Sequence, residues 1–242
     1  PCQLITRSHR MWDLCRSMER PSMTLPPPNC ELMFRPGMRY GWPNRDPVDI
    51  FVADVGAVNL ATGRLVVRDN DWWVPDSGHD VEAFTEEIPA GRYRMVLSLV
   101  GFDERGVGLR GAAAKVVIRE EPAVSWEMAL RPGQDPSKLG EGEFFGFGVD
   151  SGQGRFLDVT ALPLLRRFQD DARDEWEGVR DDVMRDGWAE VTDAESGLNV
   201  ILFDCGMGDG AYPTWIGRSA DGEVVCFISD LELLSHSLGP IG

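Results

Sequence analysis

The chain has 242 residues, 43% of them hydrophobic and 26% charged, which is enough for one large globular domain or two small ones. Its formal net charge of −16 disfavours binding to nucleic acids and to anionic membrane surfaces, because like charges repel at long range. A basic protein partner, a cation, a small ligand or solubility alone is compatible with that charge. No apolar run approaches the roughly 18 residues of a membrane-spanning helix, and the N-terminal residues hold no apolar signal-peptide core. A soluble cytoplasmic protein is therefore expected.

Cysteine and histidine are too few and too scattered for a metal centre or a disulfide framework. The five cysteines form no C-x-x-C pair and their number is odd, whereas structural zinc sites use closely spaced pairs. Three histidines also leave little material for a metal site or for a Ser-His or Cys-His pair. No cofactor and no metal is predicted. The residues concerned are Cys2, Cys15, Cys30, Cys205, Cys226, His9, His79 and His236.

Residues 1–46 are predicted to form an irregular, proline-rich arm that adds little to the core. Prolines interrupt any regular element in this segment. Residues 1–40 carry six arginines against three acidic residues, a net charge of +3, so the remainder of the chain carries −19. The change in charge sign sets the arm apart from the acidic body.

Residues 47–131 alternate apolar and polar side chains in short runs, which is typical of antiparallel strands that bury one face. The turn around Gly63 predicts a hairpin between the strand before it and residues 64–68. Several such strands with turns at this spacing favour a sandwich or a barrel. Residues 131–142 are polar and rich in proline and glycine, and are the predicted linker to a second half.

Residues 143–234 are predicted to form a sheet-plus-helix half. The turn at residues 150–154 predicts a second hairpin, and later strands close the chain. The predicted fold class is mainly β (α+β): an antiparallel β-sandwich-like N-terminal half and a C-terminal antiparallel sheet packed by one long helix. The two halves either form a single unit or remain separate.

The long helix is predicted between Ala161 and Val183, where apolar residues recur at spacings of three and four. Thr160 is the predicted N-cap and Gly187 the predicted end. Trp176 lies at the centre of the apolar stripe and is expected to be buried against a sheet.

A first glycine-rich turn is bracketed by Asp150 and Asp158. A calcium-binding loop would place oxygen ligands at alternate positions, but Gly152 and Gly154 occupy those positions and offer no side chain. A hairpin whose glycines supply positive φ angles is therefore favoured over a cation site.

A second glycine-rich loop, residues 204–212, is the strongest candidate for a site, because nine residues and three glycines exceed what a plain strand connection needs. Its backbone N–H groups could form an anion-binding nest, and its aspartates could bind a cation or act as acid and base. Ordinary turn geometry stays open as the alternative. No P-loop and no nucleophile-elbow motif is present. The candidate ligand-binding residues are Asp150, Asp158, Asp204, Gly208, Asp209, Gly210, Tyr212 and Trp215, and no catalytic residue is assigned.

Gly146 and Gly148 leave one face of their strand without side chains, so a backbone, a ring or a ligand is expected to pack closely there. This strand is predicted to neighbour the loop at residues 204–212. Tyr212 and Trp215 are expected to form an aromatic wall beside the same loop.

Short sequence blocks follow one another in a specific order over about residues 48–234. They are Asp54-Val55-Gly56, Thr62-Gly63-Arg64-Leu65-Val66, Ile88-Pro89-Ala90-Gly91-Arg92-Tyr93, Trp126-Glu127-Met128-Ala129, Gly146-Phe147-Gly148-Val149-Asp150 and Gly208-Asp209-Gly210-Ala211-Tyr212-Pro213. In this order the blocks resemble the bacterial domain-of-unknown-function 4241 family. The resemblance implies a bacterial protein and carries over no activity and no site residue.

Two hypotheses about function follow. The first is a non-enzymatic binding or interaction module with a basic protein partner, for which toxin-neutralising immunity proteins are an analogy. The alternative is an enzyme, or a protein that binds a small ligand or cation, using the carboxylates on the glycine-rich loops. Convergence of the four aspartates in one cleft would favour the alternative, whereas their separation on hairpin tips would favour the interaction module.

Overall fold

The computed structural model describes residues 24–69, 83–102, 109–163, 165 and 173–241, and of residues 173–176 it describes the backbone alone. In these ranges the helices with defined ends are α1 (Cys30–Met33), α2 (Arg173–Asp186) and the short 3-10 helices Pro136–Lys138, Val159–Ala161 and Leu233–His236. The strands are β1 (Arg39–Trp42), β2 (Arg45–Leu60), β3 (Leu65–Asp69), β4 (Gly91–Gly101), β5 (Leu109–Val117), β6 (Ser125–Met128), β7 (Gly146–Val149), β8 (Gln153–Asp158), β9 (Trp188–Thr192), β10 (Asn199–Asp204), β11 (Gly210–Arg218), β12 (Val224–Asp230) and β13 (Gly239–Ile241).

The described strands form two antiparallel sheets. The large sheet has nine strands in the order β13-β1-β2-β4-β5-β12-β11-β6, and β7 also pairs with β11. The small sheet has the order β3-β8-β10-β9. The predicted mainly-β class with antiparallel sheets is thereby confirmed. Within the described ranges, no helix is long and apolar enough to cross a membrane.

Both sheets combine strands from before and after the predicted linker at residues 131–142. In the large sheet β5 pairs with β12, and Val116 lies opposite Phe227. In the small sheet β3 pairs with β8, and Val67 lies opposite Phe156. The segments 47–131 and 143–234, predicted as two halves, therefore contribute to the same two sheets.

The two sheets pack face to face around the main hydrophobic core. Side chains from the inner face of the large sheet, among them Met95 and Phe227, meet Phe156 and Phe203 from the small sheet. The rings of Phe156 and Phe203 lie 5.3 Å apart. All four side chains are fully buried, and each large apolar side chain removed from water contributes about 1.5–3 kcal/mol to folding.

The outer face of the small sheet is covered by helical residues, as the amphipathic stripe predicts. Val183 of α2 and Leu165 are fully buried in a second cluster with side chains of β8, β9 and β10. Gly187 ends α2 with a φ of +85°, and its N–H donates to the Val183 carbonyl at 2.8 Å. The middle of the predicted stripe, including the Trp176 side chain, lies outside the described residues.

The two predicted hairpins are wrong, because each turn passes the chain from one sheet to the other. The strands on either side of Gly63 are β2, which pairs with β4 in the large sheet, and β3, which pairs with β8 in the small sheet. Likewise β7 pairs with β11, whereas β8, after Gly152, pairs with β10. Both glycines have the positive φ angle of a turn, +75° and +71°. Turn chemistry sets the reversal of the chain but not the sheet that it enters.

Asp158 ties the first crossing turn to the small sheet. One carboxylate oxygen accepts from the N–H and hydroxyl of Thr62 at 2.9 and 2.8 Å, and the other accepts from the N–H and hydroxyl of Thr160 at 2.9 and 2.5 Å. The side chain is fully buried. Asp158 therefore caps the 3-10 turn that follows β8, and Thr160, the predicted N-cap of the long helix, lies inside that turn.

The described part of the predicted N-terminal arm differs from expectation. Cys30 and Met33 of α1 are buried against the outer face of the large sheet. Tyr40 is buried in β1, which pairs with both β2 and β13. Prolines break this segment into short pieces, but the apolar side chains of those pieces cover a sheet face. Residues 30–42 therefore add to the core.

We expect Asp158→Ala to lower the free energy of unfolding by about 3–5 kcal/mol, because Thr62 and Thr160 lose a buried, charged acceptor and hydrogen bonds to charged groups contribute about 1.5–3 kcal/mol each. Urea unfolding measures the change. Asp150→Ala is the matched control, since Asp150 is exposed, and its effect should stay within about 0.5 kcal/mol. Equal small losses in both variants would contradict the structural role of Asp158.

Asp230 generates a prediction about pH. The pKa of its carboxyl is raised from 3.8 to about 6: burial is the main cause, the Glu232 N–H, donating at 2.9 Å, opposes the shift, and the Glu232 carboxylate adds to it. The folded chain thus holds a proton that the unfolded chain releases between about pH 4 and 6, so this group lowers stability as pH rises through that window. We expect Asp230→Asn to stabilise the protein by about 1–3 kcal/mol at pH 8, since one pKa unit corresponds to about 1.4 kcal/mol. Urea unfolding at pH 4 should show no gain.

Candidate functional site

The two glycine-rich segments singled out from the sequence are neighbours in the structure. Strand β7 pairs with the start of β11, so that Gly148 lies opposite Ala211 and Gly146 opposite Pro213. A Cβ atom on Gly146 would lie 2.6 Å from the Tyr212 carbonyl oxygen. The prediction that this strand adjoins the loop is confirmed, and at Gly146 the closely packed group is another backbone.

Hydrogen bonds hold the turn after β7 in place, one to the backbone of the loop after β10 and others to the carboxylate of Asp69. The Cys205 N–H donates to the Gly152 carbonyl at 2.9 Å. Asp69, at the end of β3, accepts from the Asp150 N–H at 2.8 Å and from the Ser151 hydroxyl. We call residues 150–152 and 206–210 together the loop face.

The glycines of the loop serve different purposes. Gly206 crosses the backbone of β5, where its N–H donates to the Gly111 carbonyl at 3.2 Å. A Cβ atom on Gly206 would lie 2.2 Å from that same oxygen, so no larger residue fits. Gly208 instead has a φ of +87°, which L-residues rarely adopt. A Cβ atom on Gly210 would lie in ordinary contact with the Tyr212 side chain, at 3.4 Å.

Asp204 is a buried structural carboxylate. Its side chain accepts from the Gly111 N–H at 3.0 Å and from the Arg110 guanidinium at 3.2 Å. Burial raises the pKa of its carboxyl, whereas the Gly111 N–H and the Arg110 charge act in the opposite direction. With 3% of its surface exposed, Asp204 links the end of β10 to the start of β5 and is not accessible to a ligand.

Tyr212 and Trp215 do not form the expected aromatic wall. Tyr212 packs against Phe147 in the sandwich core, and its hydroxyl donates to the Gly208 carbonyl at 2.7 Å. Burial is the main reason why the pKa of Tyr212 is raised. Trp215 is buried too, three residues further along β11. The tyrosine therefore stabilises the loop instead of facing a ligand.

Cys205 is the thiol nearest to the loop face, and its surroundings disfavour nucleophilic chemistry. The side chain is fully buried. Burial raises the pKa of the thiol well above its ordinary value, and the carboxylates of Asp204 and Asp69 raise it further. The thiolate is the reactive form of cysteine, so at neutral pH this thiol behaves as a small apolar side chain.

Asp150 and Asp209 remain exposed on the loop face. They are neighbours because the last register pair of β7 and β11 joins Val149 and Gly210, the residues next to them. Met207, on the same loop, is 45% exposed. In the described part of the chain, no group of three or more His, Cys, Asp or Glu residues is placed to hold a metal ion.

Comparison with known families agrees with this architecture. Residues 58–229 match the family described as "Protein of unknown function (DUF4241)". This chain belongs to the DUF4241 family. The match spans most of both sheets and both glycine-rich segments, so the resemblance read from the short sequence blocks is confirmed. No curated protein and no solved structure matches the chain.

Three residues that shape the loop face in this DUF4241 protein were not found from the sequence. Asp69, Arg110 and Gly111 lie far from the loop along the chain and reach it only through the fold. Gly111 carried a usable signal, since an isolated glycine in a strand pattern indicates close backbone approach. Asp69 and Arg110 carried no comparable signal for a place beside this loop.

We expect Asp204→Ala to lower the free energy of unfolding by about 2–4 kcal/mol, since it leaves the buried Gly111 N–H without an acceptor. Asp209→Ala should change it by less than about 0.5 kcal/mol, because Asp209 is exposed. Urea unfolding of both variants makes the comparison. A stable Asp204→Ala variant would contradict the structural assignment, and an unfolded Asp209→Ala variant would show that Asp209 stabilises the turn.

Proposed function

We propose that this DUF4241 protein is a non-enzymatic binding protein that docks a basic region of another protein on its loop face. The separation of the four candidate aspartates carries this proposal. Asp158 and Asp204 are buried and bonded to backbone N–H groups. Asp150 and Asp209 are exposed on adjoining turns. The four aspartates therefore do not converge in one cleft, which the alternative of an enzyme built on these carboxylates requires.

The chemistry of the loop face suits a protein partner. Asp150 and Asp209 expose carboxylates on adjoining turns, on a chain of net charge −16 that attracts cationic surfaces at long range. Met207 adds an exposed, flexible apolar side chain of the kind that adapts to different partner surfaces. Neutralisation of a toxin by an immunity-type protein is one form that such binding takes.

The support beneath the loop face favours tight binding. Backbone hydrogen bonds join Cys205 to Gly152 and Gly206 to Gly111. The Asp69 carboxylate accepts hydrogen bonds from both Asp150 and Ser151. Less freedom is lost on association when the binding groups are already held in place. The buried, free thiols of Cys30, Cys205 and Cys226 support a cytoplasmic location for this function, since disulfides are rare in that compartment.

Photo-crosslinking in cells that naturally express the protein tests the proposal. A photoreactive amino acid at position 207 should give a crosslinked adduct with a protein, and Asp150→Lys combined with Asp209→Lys should reduce that adduct at least tenfold. Position 220 is the matched control, since Ala220 is exposed in the turn at the opposite end of β11 from the loop face. Absence of an adduct at position 207, or equal adducts at both positions, would contradict docking on the loop face.

A further inference from the structure

A groove of about 550 Å³ lies on the outer face of the large sheet, at the opposite end of β11 from the loop face. One wall is formed by residues 28–31 at the start of α1, and the other by residues 119–123 before β6. Val117, Cys226 and Ile228 line the groove between these walls. The groove is therefore walled by loops and floored by strands of the large sheet.

Trp126 of β6 forms the side of this groove that lies next to the sheet edge. Its ring packs over Gly217, where an added Cβ atom would lie 2.9 Å from the ring and 2.8 Å from the Cys226 sulfur. Gly217 lies opposite Trp126 in the register of β6 and β11. The absence of a side chain at Gly217 thus allows the indole to lie on the sheet and open the groove towards the edge.

The edge beside the groove is open to a further strand at residues 125–128, whereas just beyond them the Leu130 carbonyl accepts from the Thr85 N–H at 2.8 Å. Among the described strands β6 pairs only with β11 and ends the large sheet. The Ala129 N–H donates to the Thr214 carbonyl at 2.8 Å. Because backbone groups alternate in direction along a strand, those of Trp126 and Met128 point away from β11. Val124, just before β6, is 63% exposed and adds an apolar surface to this edge.

The charges around the groove favour a basic occupant. Glu31, Glu120 and Glu121 line it and are exposed, and Glu120 is paired with Arg94 at 2.7 Å. Arg119 is engaged by Glu121 at 3.6 Å and by Glu223 at 3.0 Å. Lys115 lies over the Phe34 ring, 5.2 Å from its centroid, and is the remaining cation of the lining. Three glutamates against Lys115 and Arg119 give the lining a net charge of −1.

We propose that this groove binds an extended, basic peptide segment of a partner protein, which adds as a strand to the free edge of β6. The backbone of the peptide would pair with Trp126 and Met128. Side chains of neighbouring strands lie about 5 Å apart on one face, so every second peptide side chain would stand beside Trp126 over the groove. A large apolar side chain fills the groove, and flanking Lys or Arg residues face Glu31 and Glu121.

This proposal goes beyond docking on the loop face and stands independently of it. The loop face adjoins Gly210, and the groove adjoins Gly217 of the same strand. At about 3.4 Å per residue, seven residues separate the two surfaces by roughly 24 Å. Asp150→Lys and Asp209→Lys should therefore leave peptide binding at the groove unchanged.

Selection from a displayed library of random 12-residue peptides tests the groove with the full chain. Enriched peptides should alternate β-favouring residues and share basic residues flanking one large apolar residue. In fluorescence polarisation with a selected peptide, Ala123→Trp, which fills the groove, and Glu121→Lys should each weaken binding at least tenfold. Ala220→Trp and Glu141→Lys, at exposed positions elsewhere, are the matched controls and should bind normally.

Glu121→Lys keeps the test decisive if Ala123→Trp fails to fold, since Glu121 is an exposed surface residue. Hydrogen exchange should also slow at the Trp126 and Met128 amides when the peptide binds. Failure to enrich basic peptides, or equal binding by the groove variants and their controls, would overturn the proposal. A tenfold gain in peptide affinity on deleting residues 1–23 would also overturn it, because the groove would then belong to the chain's own N-terminal segment.

Discussion

The contact between the end of β10 and the start of β5 fixes the arrangement of the two sheets and of the loop face. Gly111 donates to the Asp204 carboxylate and accepts from the Gly206 N–H. A Cβ atom on Gly111 would lie 1.9 Å from the Asp204 carbonyl oxygen. The backbones of β5 and of the end of β10 thus touch with no side chain between them. The buried Asp204 carboxylate accepts from the Gly111 N–H, which would otherwise lack a partner at this crossing. The small sheet is fastened to the large one at this point.

The close backbone contacts at the crossings between the sheets explain why acidic residues in similar sequence surroundings have different roles. Asp158 and Asp204 each end a strand of the small sheet and close a crossing between sheets, where each buried carboxylate accepts from a backbone N–H. Asp150 and Asp209 lie at the far tips of the adjoining turns and meet solvent. Position relative to the crossing, and not the local motif, divides the structural carboxylates from those available to a partner.

The two proposed surfaces lie along one strand, β11, and differ in the interactions that they offer to a partner. The loop face at the start of β11 presents fixed carboxylates, which suit steering and recognition of a basic surface. The groove near its end combines an open sheet edge with apolar depth, which suits an extended backbone. Both are acidic, so both favour cationic partners over nucleic acid. Strand β11, which joins the two surfaces, is hydrogen-bonded to β12, β6 and β7. Both surfaces are therefore held in fixed positions before a partner binds.

The sequence by itself determined the mainly-β class, several strands, the apolar stripe on α2, the family and the proximity of the two glycine-rich segments. These rest on local periodicity and on glycine spacing, which neighbouring residues dictate. Only the tertiary structure decided that the turns at Gly63 and Gly152 join different sheets, that Asp204 is buried beneath Arg110, and that Tyr212 faces the core. Such outcomes depend on which distant strands pair, and partners such as Gly111 lie about a hundred residues from the loop. No local pattern encodes that choice, because the free energy that decides it comes from burying the faces of whole sheets against each other.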